Sequence, residues 1–280
     1  MRIDLHTHST VSDGTEPPAQ VMRAAARAGL DVVALTDHDT TAGWDEAAAA
    51  AVKYGVAFVP GTEVSCTHEG ISVHMLSYLQ DPTAEGLLSE MDAARDSREY
   101  RARRMVERIA EDYDLDWEDV AAQADVGTTL GRPHIADALV ARGHVENRDA
   151  AFATILHGRS LYYVRHYAPD AIEAVRLIRA AGGVPVFAHP LASARGRVVG
   201  EDVIDEMVDA GLAGLEADHR DNPPEARQRL REIAKAHGLF VTGSSDYHGS
   251  GKQNRLGEFT TSPEVLEQIE AQGVGKIVRP

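Results

Sequence analysis

An α/β fold built on a mostly parallel sheet is what this 280-residue sequence predicts. Three observations carry that prediction. Short apolar runs alternate with long Ala-rich amphipathic stretches, a strand–helix–Gly–strand unit recurs along the chain, and ionisable residues gather where the candidate strands end. Parallel strands need crossover connections, and strands covered on both sides should be apolar on both faces, as Val32–Val33–Ala34–Leu35 is. An open doubly wound sheet and a closed barrel share this signature, and periodicity alone does not choose between them.

In order, Met1–His8 reads as the first strand and Pro17–Ala28 as a helix, with proline in its first turn and Gly29 as its stop. Asp31–Thr36 is the second strand, followed by a helix over Trp44–Tyr54 that Gly55 closes. Ala57–Pro60 and Ile71–Tyr78 add two more strands. The unit then recurs three times: Ala171–Ala181 before Val184–Ala188, Val203–Ala210 before Gly214–Ala217, and Pro224–His237 before Leu239–Gly243. Glu85–Tyr167 breaks the rhythm. It is helical and highly charged, with arginines at 95, 98, 101, 103 and 104 and acidic residues from 111 to 119, which read as solvated helix faces. Its one strand-like run is Leu161–Val164, and its first helix is expected to close the unit begun by Ile71–Tyr78.

Composition narrows the function classes. Hydrophobic residues at 43% and charged residues at 26% supply a sizeable core and argue against disorder. Lysine and arginine total 28 against 44 acidic residues, a formal charge of −16, which disfavours a basic nucleic-acid cradle as the main surface. The single cysteine, Cys66, rules out an intramolecular disulfide and a thiolate zinc site, and reads as a small apolar filler. No run of eighteen apolar residues and no secretory pattern is visible, so the expectation is a soluble, cytoplasmic protein.

The chemistry sits at the strand ends. His6 and His8 stand at i and i+2, on one face of the first strand, with Asp13 close behind. His38 follows the second strand between Asp37 and Asp39, Glu63 follows the third, and His74 lies on the fourth. His189 ends the fifth, Glu216, Asp218 and His219 the sixth, and Asp246 and His248 the seventh. Carboxyl ends of parallel strands converge on one face. Imidazoles and carboxylates without a thiolate suit Mn²⁺, Fe²⁺ or Zn²⁺, and nine candidate ligands exceed what one ion uses, so two or three ions are expected. The glycines at 243, 249, 251 and 257 form a flexible loop without the Gly-Lys-Ser/Thr of a P-loop.

Asp4-Leu5-His6-Thr7-His8-Ser9 with Ser12-Asp13-Gly14, then Thr36-Asp37-His38-Asp39, Gly61-Thr62-Glu63, Ala188-His189-Pro190 and Ser244–His248 resemble the motifs of the PHP family, named for its polymerase-associated and histidinol-phosphatase members. The resemblance covers almost the whole chain. It implies a distorted (β/α)7 barrel, formed by residues 1–90 and 168–280, with residues 91–167 as a small helical insertion covering the active site. It also implies a trinuclear metal centre. His6, His8, Glu63 and Asp246 would hold the first ion. Glu63 would bridge to a second held by His74 and His189, and Asp13, His38 and His248 would hold the third. Histidinol-phosphatase-type members carry a histidine where this chain has Asp13, which points away from histidinol phosphate. The insertion with Gly131-Arg132-Pro133-His134 resembles the subgroup of 3′,5′-nucleoside bisphosphate phosphatases and 5′→3′ exonucleases on short RNA.

Within the insertion, Pro133 reads as the first helical residue, with Arg132 at the cap and His134 in the first turn, an arrangement suited to a phosphate. Arg132, His134, Arg159, Arg165, His166, Arg195 and Arg197 are the expected substrate contacts, whereas Tyr162 and Tyr163 read as packing residues. The expected function is a metal-dependent phosphoesterase in which a metal-bound hydroxide attacks phosphorus, with His219 or Asp246 assisting. The expected substrate is a small phosphorylated nucleotide, a nucleoside 3′,5′-bisphosphate or monophosphate, with short single-stranded oligonucleotide ends as the alternative that would make it a 5′→3′ exonuclease. An amidohydrolase-like metal hydrolase and a non-catalytic regulatory domain are the other readings; no membrane and no protein partner is inferred.

Overall fold

Proline and glycine punctuate the helices as the sequence suggests. In the structure, a computed structural model that describes residues 1–124 and 128–280, α1 (Pro18–Arg27) opens on proline. The helices α2 (Trp44–Tyr54) and α9 (Pro224–His237) close on Gly55 and Gly238, both left-handed. Residues 125–127 of the expected insertion lie outside the described residues. Among the described residues no helix is long and apolar enough to cross a membrane.

Seven strands form one sheet in sequence order: β1 (Ile3–Asp4), β2 (Val32–Leu35), β3 (Ala57–His68), β4 (Ile71–Tyr78), β5 (Val184–Phe187), β6 (Gly214–Asp218) and β7 (Phe240–Gly243). Beyond β1 and β7 the sheet curls toward closure: Thr7 bridges Tyr247 in parallel, and the His8 amide donates to the Tyr247 carbonyl at 2.8 Å. The result is a nearly closed barrel flanked by helices. Its interior packs Ile3, Leu5, Ala34, Val59, Leu76, Tyr78 and Val186. The outward residues Val33, Leu35 and Phe58 meet α1 and α2.

Three expectations about strands are corrected. The first strand is not eight residues long: past Asp4, the amides of His6, Ser245 and Gly257 donate to the Asp4 carboxylate, which interrupts the ladder. The third strand runs through Glu63 to His68 and turns at Glu69 and Gly70, both with positive φ, into an antiparallel β4. A parallel return would have needed a crossover of a dozen or more residues. His74 is consequently delivered from the middle of a reversed strand, opposite Ala188, instead of from a carboxyl end. Leu161–Val164 is no strand; it follows turns after α6.

Between β4 and β5 lie α3 (Glu85–Ile109), α4 (Trp117–Ala121), α5 (Arg132–Ala141), α6 (Arg148–Ala153) and α7 (Ala171–Ala180). The outer half of α3 builds a separate apolar core with α4, α5 and α6, from Met105, Ile109, Val120, Ile135, Leu139, Ala151 and Leu156. The remaining helices are α8 (Glu201–Asp209) and α10 (Pro263–Gln272).

Candidate active site

The carboxyl ends of β1, β2, β5, β6 and β7, with the middles of β3 and β4, bring the predicted ionisable residues together. Glu63 is the hub. Its Oε2 lies 3.2 Å from His6 Nε2, 3.1 Å from His8 Nε2 and 3.4 Å from His38 Nδ1. Its Oε1 lies 2.7 Å from His74 Nδ1 and 3.1 Å from His189 Nε2. Asp246 Oδ1 stands 3.6 and 3.4 Å from the same nitrogens of His6 and His8. Asp13 sits 3.1 Å from His248 Nε2 and 3.8 Å from His38 Nε2. Its loop folds tightly because Gly14 passes against the His8 backbone, where a Cβ would meet the His8 carbonyl oxygen at 2.6 Å.

Backbone strain marks two of these residues, and Asp39 next to His38. Asp39, His189 and Asp246 are non-glycine residues with φ of 54°, 33° and 54°. Such conformations cost about 1–3 kcal/mol each and persist where surrounding contacts enforce them.

The donor chemistry fits divalent cations. Three overlapping groups have ligand atoms within 4.8 Å of one another: His6, His8, Glu63 and Asp246; His8, Asp13, His38 and His248; and His38, Glu63 and His74. His6 Nδ1 hydrogen-bonds Glu216 at 2.9 Å and His248 Nδ1 the Asp246 carbonyl at 2.9 Å. A ring that donates from Nδ1 presents a bare Nε2. His6 Nε2 nevertheless faces His8 Nε2 at 3.1 Å as well as two carboxylates. The buried nitrogens His38 Nδ1, His74 Nδ1 and His248 Nε2 lie close to carboxylate oxygens yet make no hydrogen bond among the described residues. Acceptors crowded without aligned protons are what ion ligation requires. The grouping differs from expectation in two respects: His8 and His38 each reach two groups, and His189, expected beside His74, belongs to none of the three, its place beside His74 being taken by His38, although its Nε2 lies 3.1 Å from Glu63 Oε1.

Electrostatics agree. Burial disfavours a charged His8, but Asp246 and Glu63 outweigh it and raise its pKa to about 9. Burial also opposes a charged Glu63, yet the surrounding histidines hold it well below the usual range. For His248, burial, Lys252 and His8 together bring the pKa down to about 4.

Around this cluster, His219 is fully buried; its Nδ1 accepts the Asp221 amide at 3.0 Å, so a neutral ring carries its proton on Nε2, 3.4 Å from Asp246 Oδ2. Asp246 Oδ2 also meets Arg195 and, at 2.9 Å, Lys252. Arg132 is the first residue of α5 and not its cap: Gly131 is extended and takes that place, and its amide donates to His134 Nδ1 at 3.1 Å. His134 is buried and feels Asp13. Arg165 and Arg197 are exposed near the β3–β4 turn, Arg197 donating to the Gly70 carbonyl, and Arg159 is exposed on the loop after α6. None of these three has a contact with the histidine cluster among the described residues.

Sequence reasoning missed Arg98, Arg101 and Lys252, and gave Glu216 no specific role. Arg98 pairs with Asp39 at 2.6 Å. Arg101 is buried, with Nη1 3.0 Å from His166 Nδ1, and the Nε atoms of both arginines are buried without hydrogen-bond partners among the described residues. Burial, Arg132 and Arg98 lower the pKa of Arg101, and burial and Arg98 lower that of Arg132. Burial and these arginines also bring His166 down to about 2. Spacing of 95, 98 and 101 on one helical face was the available signal.

Residues 4–153 match the family profile described as PHP domain, more than half of the chain. This chain belongs to the PHP family. The PHP chain is 34% identical to a Chromobacterium violaceum 3′,5′-nucleoside bisphosphate phosphatase, over 99% of this chain and 98% of that protein. It is 34% identical to a Haemophilus influenzae 5′-3′ exoribonuclease, over 88% and 90% respectively. A solved Bifidobacterium adolescentis structure, described as a metal-dependent phosphoesterase, superposes with a TM-score of 0.95 at 45% identity, covering 97% of this chain and 96% of that one. The PHP chain is accordingly a metal-dependent hydrolase of phosphoric esters on a distorted (β/α)7 barrel.

Proposed function

We propose that this PHP enzyme releases phosphate from a small phosphorylated nucleotide, a nucleoside 3′,5′-bisphosphate in the first instance and a nucleoside monophosphate in the second. The observation that carries the reading is the pairing of two opposite environments. A cluster of bare acceptors centred on Glu63 lies on the same side as the buried guanidinium of Arg101 and the half-buried one of Arg132, which have no carboxylate in ion-pair reach among the described residues. The name of the Chromobacterium violaceum relative supports the same substrate class.

In this reading His6, His8, Glu63 and Asp246 hold one ion, Glu63, His74 and His189 a second, and Asp13, His38 and His248 a third, with Mn²⁺, Fe²⁺ and Zn²⁺ the ions that suit the donors. Bound divalent ions supply Lewis acidity, which activates water near neutral pH and neutralises phosphoryl oxygens. The chain does the rest. Arg101 and Arg132, steadied by Arg98 on Asp39, bind the phosphate that is not cleaved. His219 holds a proton at Nε2 and is the group we assign to the leaving ribose oxygen. Arg195 and Lys252 grip the outer oxygen of Asp246 and orient it. Residues 91–167 form a unit that roofs the site; support comes from the Thr128 hydroxyl donating to the Thr10 carbonyl at 2.7 Å and from Arg148 reaching the Asp13 carbonyl.

The test compares catalytic efficiency with Mn²⁺ across nucleoside 3′,5′-bisphosphates, nucleoside monophosphates and 5′-phosphorylated RNA of increasing length, at fixed ionic strength. The bisphosphate is expected to lead. A steady rise from mononucleotide to oligonucleotides of about five units would overturn this in favour of an exonuclease, because a backbone that outgrows the pocket meets a chain of charge −16.

A further inference from the structure

Glu216 lies on β6, fully buried, and makes two contacts that join separate parts of the site. One oxygen, Oε1, is 2.9 Å from His6 Nδ1. The other, Oε2, accepts the backbone amide of His189 at 2.9 Å. His189 is the residue held at a φ of 33°, so that amide bond anchors a strained turn which carries the ring toward Glu63. Both oxygens accept: the His189 backbone N–H can only donate, and the carboxylate oxygen facing His6 Nδ1 at 2.9 Å places the ring proton on that nitrogen.

We propose that Glu216 is a positioning residue that sets two ligands belonging to two different ions: it fixes the His6 tautomer so that Nε2 is bare, and it holds the His189 turn. The inference rests on the metal-centre reading above. Glutamine cannot replace it, because an amide offers one acceptor and one donor. Whichever way the amide lies, either the His189 N–H loses its acceptor or an N–H is presented to His6 Nδ1, which forces a proton onto Nε2.

The experiment measures Mn²⁺ binding to purified wild-type and Glu216→Gln protein by competition with a chelator, with melting of the metal-free forms alongside. Partners of this kind typically change metal affinity by about 10- to 100-fold. The expected result is a loss of that size in the variant, with the metal-free variant still melting cooperatively. Equal affinity and stoichiometry in the two proteins would overturn the positioning role. Wild-type protein that binds no Mn²⁺ would overturn the metal-centre reading itself, and this inference with it. Should Glu216→Gln fail to fold, histidine ¹⁵N and ring-proton NMR of the Zn²⁺-loaded wild type decides: the His6 proton is expected on Nδ1, slow to exchange, and a proton on Nε2 would overturn the inference.

Discussion

Around Glu63, ring nitrogens and carboxylate oxygens from β1, β2, β3, β4, β5 and the segment after β7 crowd within hydrogen-bonding distance and make few hydrogen bonds. Around Arg101, on α3, the crowding has the opposite sign: Arg98, Arg101 and Arg132 repel one another and keep His166 neutral, and among the described residues only Arg98 of the three is paired with an acid. The arginine side is no way to stabilise an empty protein, since buried like charges raise the free energy of the fold. The contrast teaches how a strongly acidic chain binds an anion. Cations are gathered where the substrate's charge will be, and the surplus of acid stays on the outer surface.

The comparison can be broken most severely at its hub. Glu63→Gln should lower turnover by about 10³-fold or more, several kcal/mol of transition-state stabilisation, because the change touches two proposed ion sites together. Elemental analysis of the variant should find fewer ions per chain than in wild type. Turnover near the wild-type value would refute the bridging role.

Next in size is the response to pH. The folded pKa of His8 is raised to about 9 from an ordinary 6.5. The stability that protonated His8 contributes is therefore complete below about 6.5 and is lost as pH climbs through 9. An ion needs the neutral ring, so apparent Mn²⁺ affinity should rise with pH over that window, by roughly tenfold per unit for each proton released. Melting temperatures of metal-free protein should fall across the same window while those of Mn²⁺-loaded protein do not. Parallel curves would count against ligation by His8.

On the cationic side, Arg132→Ala should reduce catalytic efficiency on a bisphosphate by roughly 10- to 100-fold, the equivalent of about 1.5–3 kcal/mol for a charge-assisted contact. Metal content should be unchanged. Arg101→Met should show a similar loss and also melt at a higher temperature than wild type, because it removes a buried cation that Arg132 repels. An Arg101→Met variant that is destabilised and fully active would make that arginine structural. The smallest effect is expected at Arg159, which is exposed: Arg159→Ala should stay within about twofold in both readouts.

Much of the barrel side was legible in the sequence. His6 and His8 share a strand face by spacing alone, and Asp13, His38, His189, Asp246 and His248 each follow an apolar run, where a parallel strand ends. The direction of β4 was not legible as read, because Thr62–His68 lacks a strong apolar run and hid the hairpin that reverses it. Arg98 and Arg101 were obscured for a different reason. In a helix carrying arginines at 95, 98, 101, 103 and 104, charge counts do not distinguish the face turned to solvent from the face turned to a site; only the packing of α3 beside β3 and α5 does. Glu216 stood among the strand-end acids, but its work depends on which imidazole nitrogen it meets, a detail below the resolution of sequence spacing.

The reversal of β4 also settles how tall α3 has to be. A strand running against its neighbours ends at the floor of the barrel, where Tyr78 pairs with Gly61 and with Val184, the first residue of β5. The chain must then climb the whole outer wall to regain the rim. Twenty-five helical residues, rising about 1.5 Å each, cover about 37 Å in one span. Gly86 starts that climb beside Leu177, and Arg95 and Arg98 meet Asp39 near its middle. The helix thus works as a ruler: its length in turns fixes the height at which Arg98 and Arg101 stand, and removing one turn would lower them by about 5.4 Å, out of register with the rim they serve.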